Sequence, residues 1–182
     1  KPRIRQKPKL TIICDISGSM ALNSLFGVTL LYGMVTKFAS IRAYVFIDGI
    51  TDISKNLRHI KKNEIETIFS RWSEFVKSDG HSDYQKSFEE LIESDTSEKG
   101  TLIVIGDARN NYRNISENLI VNLSNKYKKI FWINPEQKKY WNTGDSQMKK
   151  FQEINFKTSE VRNYKQLKSF IKELDFKKVL TS

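Results

Sequence analysis

A doubly wound α/β domain is the fold predicted for residues 9–176: a mostly parallel six-stranded sheet, helices on both faces and one antiparallel edge strand. Three observations carry it. Thr11-Ile12-Ile13-Cys14 and Thr101-Leu102-Ile103-Val104-Ile105 are near-continuous apolar runs, as expected of strands covered on both faces. Segments with apolar residues at helical spacing alternate with such runs, which calls for crossover connections in a layered sheet. Asp48-Gly49, set between two β-branched runs, is the strongest hairpin signal in the chain and sets one edge strand antiparallel.

In chain order, residues 1–8 alternate basic residues with Pro2 and Pro8 and read as a linker from a missing N-terminal region, the more so because the chain begins at Lys1 rather than Met. Lys9 to Cys14 is the first strand. From Met20 to Ala39, Leu22, Leu25, Phe26, Leu30, Val35 and Phe38 recur at helical spacing. Strands follow at Arg42 to Ile47 and Ile50 to Ile53, then a polar helical stretch from Leu57 to Val76. Ser78-Asp79-Gly80-His81 breaks that stretch, and a new helix runs from Asp83 to Ile92. A strand at Thr101 to Ile105, a helix at Asn114 to Lys126 and a strand at Ile130 to Ile133 come next. Pro135 opens a loop that runs through Trp141 and Thr143-Gly144-Asp145. A short helix at Gln147 to Gln152, a strand at Asn155 to Val161 and a closing helix at Asn163 to Asp175 complete the pattern. Residues 177–182 are a basic tail.

The 182 residues suffice for one domain with a sizeable core, burying roughly 70% of the unfolded surface. No apolar run approaches the roughly 20 residues of a membrane-spanning helix, so the expected domain is soluble and has no membrane partner. One cysteine cannot form an internal disulfide and no signal-peptide pattern opens the chain, which points to the cytoplasm. The net charge of +10 would attract nucleic acid. The basic residues, however, are spread over helix faces without interleaved aromatics, which argues for solvated surface instead.

The chemistry-bearing stretch is Asp15-Ile16-Ser17-Gly18-Ser19, where the first strand runs into a carboxylate and two hydroxyls at alternate positions. Hard divalent cations prefer such oxygen ligands, whereas Cys14, facing into the strand, is the wrong kind of ligand. Asp107 follows the Thr101 to Ile105 strand. In open α/β sheets ligands bind beyond the carboxyl ends of the strands, so Asp15 and Asp107 should share one crevice, with Ser82 as a third contributor. Other roles stay open: Ser82 with Gln85 fits a capping box, Ser19 fits a helix N-cap, and Asp107 could cap its loop. Asp83 suits a helix N-terminus better than a metal, His81 reads as a rim residue, and Trp132 and Trp141 read as core and loop anchors.

Asp15-Ile16-Ser17-Gly18-Ser19 resembles the DxSxS motif of von Willebrand factor A (VWA) domains, which opens a metal-ion-dependent adhesion site, or MIDAS. Gly80-His81-Ser82-Asp83 and Ile105-Gly106-Asp107 stand where that family completes the site. The basic lead-in, Gly106-Asp107-Ala108-Arg109-Asn110-Asn111-Tyr112, Trp132-Ile133-Asn134-Pro135-Glu136 and Trp141-Asn142-Thr143-Gly144-Asp145-Ser146 narrow the resemblance to the CoxE-like branch. Ser82 departs from the family's usual Thr, losing the β-branch that stiffens the side chain, and Gly106-Asp107-Ala108 replaces Thr-Asp-Gly.

The resemblance implies a Rossmann-like VWA fold and a non-enzymatic interaction module. Its metal ligands would be Asp15, Ser17, Ser19, Ser82 and Asp107, around Mg²⁺ with Mn²⁺ or Ca²⁺ as alternatives. A protein partner would supply a further acidic residue, and the implied partner is a MoxR-type AAA+ ATPase or its client. A strand followed by an Asp also resembles haloacid-dehalogenase-type phosphatases, but their chemistry needs an acid two residues on, where this chain has Ser17.

Overall fold

The structure, a computed structural model, describes residues 10–20, 27–33, 41–59, 61, 64, 81–95, 99–154 and 156–173. The strands are β1 (Leu10–Asp15), β2 (Ile41–Phe46), β3 (Ile50–Asp52), β4 (Thr101–Ile105), β5 (Lys129–Asn134) and β6 (Lys157–Glu160). The helices are α1 (residues 27–33), α2 (Ser54–His59), α3 (Tyr84–Ser94), α4 (Glu117–Lys126), α5 (Met148–Glu153) and α6 (Tyr164–Glu173). Short 3₁₀ turns stand at Gly18–Met20 and Lys138–Tyr140. The predicted linker and basic tail, most of the Leu57 to Val76 stretch, the Ser78-Asp79-Gly80 break and parts of the Met20 to Ala39 helix lie outside the described residues.

The six strands form one sheet in the order β3-β2-β1-β4-β5-β6. Every neighbouring pair is parallel except β2 and β3, which pair antiparallel through the hairpin at Asp48-Gly49. The doubly wound expectation therefore holds, including the antiparallel edge. The chain leaves β1 toward β2 on one side and returns to β4 on the other, so the strand order reverses between β1 and β4, where a crevice opens at their carboxyl ends.

The core divides across the sheet because side chains alternate along each strand. Leu10, Ile12 and Cys14 face one way, packing with Val28 and Leu31 of α1 and with Phe170 of α6. Ile13 faces the other, among Tyr84 and Phe88 of α3, Leu119 and Leu123 of α4, Trp132 and Phe151. Gly27 marks a close approach on this face, since a Cβ there would lie 2.6 Å from the Cys14 Sγ. Cys14 is thus a packing residue, and burial pushes its thiol pKa up. No helix among the described residues is long and apolar enough to cross a membrane.

Several predicted boundaries shift for local reasons. Ser116 caps α4 by accepting from Leu119 N–H at 3.3 Å, so Asn114 and Ile115 belong to the preceding loop. Asp83 caps α3 by accepting from Lys86 N–H at 3.0 Å. The capping box that Ser82 and Gln85 offered as an alternative does not form. The Gln85 side chain instead accepts from Ser116 N–H at 2.8 Å and ties the two helix starts together.

At the amino end of the sheet, Asp95 is 1% exposed at the end of α3. It accepts from the Thr11 and Tyr127 hydroxyls, both at 2.6 Å, and pairs with the Arg42 guanidinium at 3.3 Å. This buried carboxylate, which the sequence pattern did not signal, is neutralised by a cation.

Candidate metal centre at the strand ends

Asp15 is the last residue of β1, and Asp107 lies two residues beyond the end of β4. The register pairs Cys14 with Ile105, so both carboxylates flank the crevice where the strand order reverses. Asp15 is fully buried and Asp107 is 5% exposed.

A continuous set of hydrogen bonds joins all five predicted site residues. The Asp15 Oδ1 accepts from Ser17 N–H at 2.8 Å, which turns the chain so that the Ser17 and Ser19 hydroxyls stand 3.3 Å apart. The Ser19 hydroxyl bonds in turn to Asp107. The Ser82 hydroxyl donates to Asp15 Oδ2 at 3.3 Å. Ser82 is therefore bonded to the Asp15 carboxylate and is not the helix cap, a place taken by Asp83. The Asn111 side-chain amide donates to the Ser82 carbonyl at 3.0 Å and holds the backbone of the loop. Asp107 does serve its loop, accepting from Arg109 N–H at 2.9 Å through Oδ1, and bonds to Ser19 as well. Ser19 lies inside the 3₁₀ turn that leads from the site toward α1.

Tyr84 is the site residue that sequence reasoning missed. Its hydroxyl donates to Asp15 Oδ2 at 2.7 Å and accepts from Ala108 N–H at 3.2 Å, linking the β1 carboxylate to the loop after β4. The ring is fixed edge-on to Phe46 at 4.9 Å and stacked on Trp132 at 5.7 Å. In sequence it looks like one more apolar residue in the first turn of a helix. Only the preference of a buried phenol for a polar partner could have singled it out.

Burial first, and then the neighbouring Asp107 carboxylate, push the Asp15 carboxyl up to about 7 against the lowering pull of its Ser17 and Tyr84 hydrogen bonds. Burial raises Asp107 too, opposed by the Arg109 N–H, the Ser19 hydroxyl and the Arg109 charge. The Arg109 guanidinium bridges Glu136 at 2.6 Å and Asp145 at 2.8 Å, clamping the loops after β4 and β5 together. Trp132 Nε1–H donates to the Gly106 carbonyl at 2.8 Å, and Trp141 Nε1–H donates to the Glu136 carbonyl at 3.0 Å, so both tryptophans are the anchors expected of them. His81 lies on the rim, its ring 3.0 Å from the Asn111 Oδ1.

The loop after Asp107 holds Ala108, Asn111 and Tyr112 at φ of 63°, 51° and 60°. A left-handed backbone costs a bulky residue roughly 1 kcal/mol, and Tyr112 is 83% exposed with little packing in return. Tyr112→Gly is therefore expected to raise stability by up to about 1 kcal/mol in urea denaturation. A loss of that size would show that the tyrosine conformation carries no strain.

Two carboxylates and three hydroxyls thus converge. No group of three or more His, Cys, Asp or Glu side chains that could hold a metal exists among the described residues, so a cation here would depend on the serine oxygens.

Residues 1–170 match the family described as VWA domain containing CoxE-like protein. The chain belongs to that family. Solved structures share the VWA fold at low identity. One is an aerotolerance-related membrane protein from Bacteroides fragilis NCTC 9343 with multiple mutations to serines, which is 13% identical at a TM-score of 0.58, covering 94% of this chain and 99% of that one. A second is the proximal thread matrix protein 1 of the mussel byssus with a zinc-occupied MIDAS motif, 16% identical at a TM-score of 0.54, covering 91% of this chain and 45% of that one. A third is the manganese-loaded TRAP protein of Plasmodium vivax, 11% identical at a TM-score of 0.54, covering 93% of this chain and 73% of that one. No curated protein matches the sequence.

Proposed function

We propose that this VWA domain is a non-catalytic, divalent-metal-dependent protein-interaction module. Asp15, Ser17, Ser19, Ser82 and Asp107 hold the cation, and a carboxylate from a protein partner completes its coordination. The observation that carries this reading is the contrast between two buried carboxylates. Asp95 has the Arg42 guanidinium at 3.3 Å. Asp15 is as deeply buried, but it is met by hydroxyls, an N–H and a second carboxylate. A buried carboxylate without a cation is costly unless it is protonated or binds metal.

The donor set suits Mg²⁺, which takes oxygen ligands in an octahedron at about 2.1 Å and keeps several waters; Mn²⁺ and Ca²⁺ are the alternatives. The five side chains leave a coordination position where a water would otherwise stand, and a partner's anionic oxygen can take it. The bound cation supplies a docking contact. The protein's part is to present the ligands at the carboxyl ends of β1 and β4 and in the adjoining loops, with Tyr84 and the Ser17 turn bonded to the two oxygens of Asp15.

The zinc in the mussel protein's MIDAS and the manganese in the parasite protein support this reading. Membership in the CoxE-like family further supports a MoxR-type AAA+ ATPase or its client as the partner, with a role in protein or metallocofactor assembly. The chain has no GxxxxGK[ST] phosphate loop, so ATP hydrolysis would rest with that partner.

Calorimetric titration with Mn²⁺ is expected to give about one equivalent of uptake by the wild-type chain and none by Asp15→Ala. Equal silence from both proteins would remove the cation from the account. A pull-down with and without EDTA then asks whether partner capture follows the metal.

A further inference from the structure

An open groove of ≈ 350 Å³ runs beside the site, lined by Ser19 and Asp107 together with Arg109, Glu136, Tyr140 and Arg162. Its two arginines are not equivalent. Arg109 is closed off by two carboxylates, Glu136 at 2.6 Å and Asp145 at 2.8 Å, and is 24% exposed. Arg162 meets Glu160 only at 3.7 Å and is 43% exposed. Glu160 is itself taken up by Lys138 N–H at 3.0 Å and the Gln166 amide at 3.3 Å. The Gln137 side chain, with its amide oxygen turned toward Arg162, accepts from both terminal guanidinium nitrogens at 3.1 Å. The Arg162 fork therefore faces a neutral amide, in a geometry that a carboxylate would fill with a shorter and stronger pair of bonds. The Lys139 ammonium adds positive charge here, held over the ring of the groove residue Tyr140 at 4.7 Å.

We infer that this groove receives an extended acidic segment of the partner protein, which places one carboxylate on the cation and a second on the guanidinium of Arg162. The inference rests on the cation reading above and adds a requirement to it: the partner motif carries two acidic residues, and Arg162 reads the second. Charge complementarity fixes the occupant. The groove offers an exposed arginine fork next to a cation site, with the Lys139 ammonium held over its Tyr140 wall, on a chain of net charge +10.

The test uses the full chain with saturating Mg²⁺ and NMR titration of glycine-serine peptides that carry either one glutamate or two glutamates separated by one to four residues. At its best spacing, the two-glutamate peptide is expected to bind about fivefold more tightly than the one-glutamate peptide, the worth of one exposed ion pair. Arg162→Ala should abolish that ratio while leaving Mn²⁺ uptake by calorimetry unchanged. Arg162→Glu should transfer the preference to a peptide whose second acid is replaced by lysine. Equal binding of both peptides to the wild-type chain, or a ratio unaltered in Arg162→Ala, overturns the inference even when metal uptake is normal. Silence of the Mn²⁺ titration removes the cation and overturns the two-point docking, and an Arg162-dependent preference that persists then leaves only the contact at Arg162.

Discussion

At pH 8, Mg²⁺ in hundredfold excess over its Kd is expected to raise the melting temperature of this VWA domain by roughly 5–10 °C. That follows from about 2.7 kcal/mol of linkage and the size of the chain. At pH 5 the same Mg²⁺ concentration should give only about 1 °C. The cause is competition at Asp15, whose carboxyl burial and Asp107 push up to about 7, so near pH 5 a proton already occupies the site. Two pH units below that value weaken apparent cation affinity roughly a hundredfold.

The metal-free chain should show the reverse slope. The Asp15 pKa is raised above its ordinary value of 3.8, so its contribution to stability is fully present below pH 3.8, falls as the pH rises toward 7 and is lost above it. The loss amounts to about 4 kcal/mol at most. Asp15→Asn should abolish both the metal response and this part of the pH slope. Thermal melts in EDTA and in Mg²⁺ from pH 5 to 8.5 read all three effects. A wild-type melting temperature indifferent to Mg²⁺ at pH 8 would rule out a cation at these carboxylates.

Gly106→Ala is expected to destabilise the domain by about 3 kcal/mol or more, a large effect for one methyl group. A Cβ at this position would lie 2.2 Å from the Tyr84 hydroxyl oxygen and 3.1 Å from the Asp15 Cβ. The phenol must move, and it then loses its bonds to Asp15 at 2.7 Å and Ala108 at 3.2 Å. Swinging the ring aside is no remedy, because Phe46 and Trp132 hold it at 4.9 and 5.7 Å.

Tyr84→Phe removes the obstructing oxygen at the cost of the same two bonds, so the two substitutions should be strongly non-additive. Urea denaturation of the four proteins in the cycle should show a coupling above about 1 kcal/mol. A Gly106→Ala penalty of the same size in both backgrounds would mean that the clash lies elsewhere. The departure from Thr-Asp-Gly to Gly106-Asp107-Ala108, which in sequence alters only neighbours of the carboxylate, thus has a cause in space: the position before Asp107 must have no side chain because Tyr84 fills that space.

Ser82 and Tyr84 differ in how much their neighbours along the chain reveal. Ser82 could be nominated because the hydroxyl follows a loop motif, but the same residue with Gln85 also fitted a helix cap. The choice between the two needed the loop position, which Asn111 sets from another part of the chain. Tyr84 gave no local sign at all, since its role comes from a strand and a loop that approach the first turn of α3 only after folding. Asp95 was missed for the same reason, its partners Thr11, Arg42 and Tyr127 coming from three separate elements. Arg162 belongs with these, because its place beside Asp107 depends on β6 lying next to β5.

Local pattern determined the elements of this protein. Apolar runs made β1 and β4, Asp48-Gly49 made the hairpin, and the Asp15-Ile16-Ser17 spacing set its own turn through a bond between residues two apart. Those features depend on near neighbours, so they can be read along the chain. The strand order β3-β2-β1-β4-β5-β6, the phenol clamped on Asp15 and the groove ending at Arg162 were decided only in three dimensions. Each rests on contacts between residues far apart in the chain, and periodicity, which reports which face of an element is buried, does not report what it is buried against.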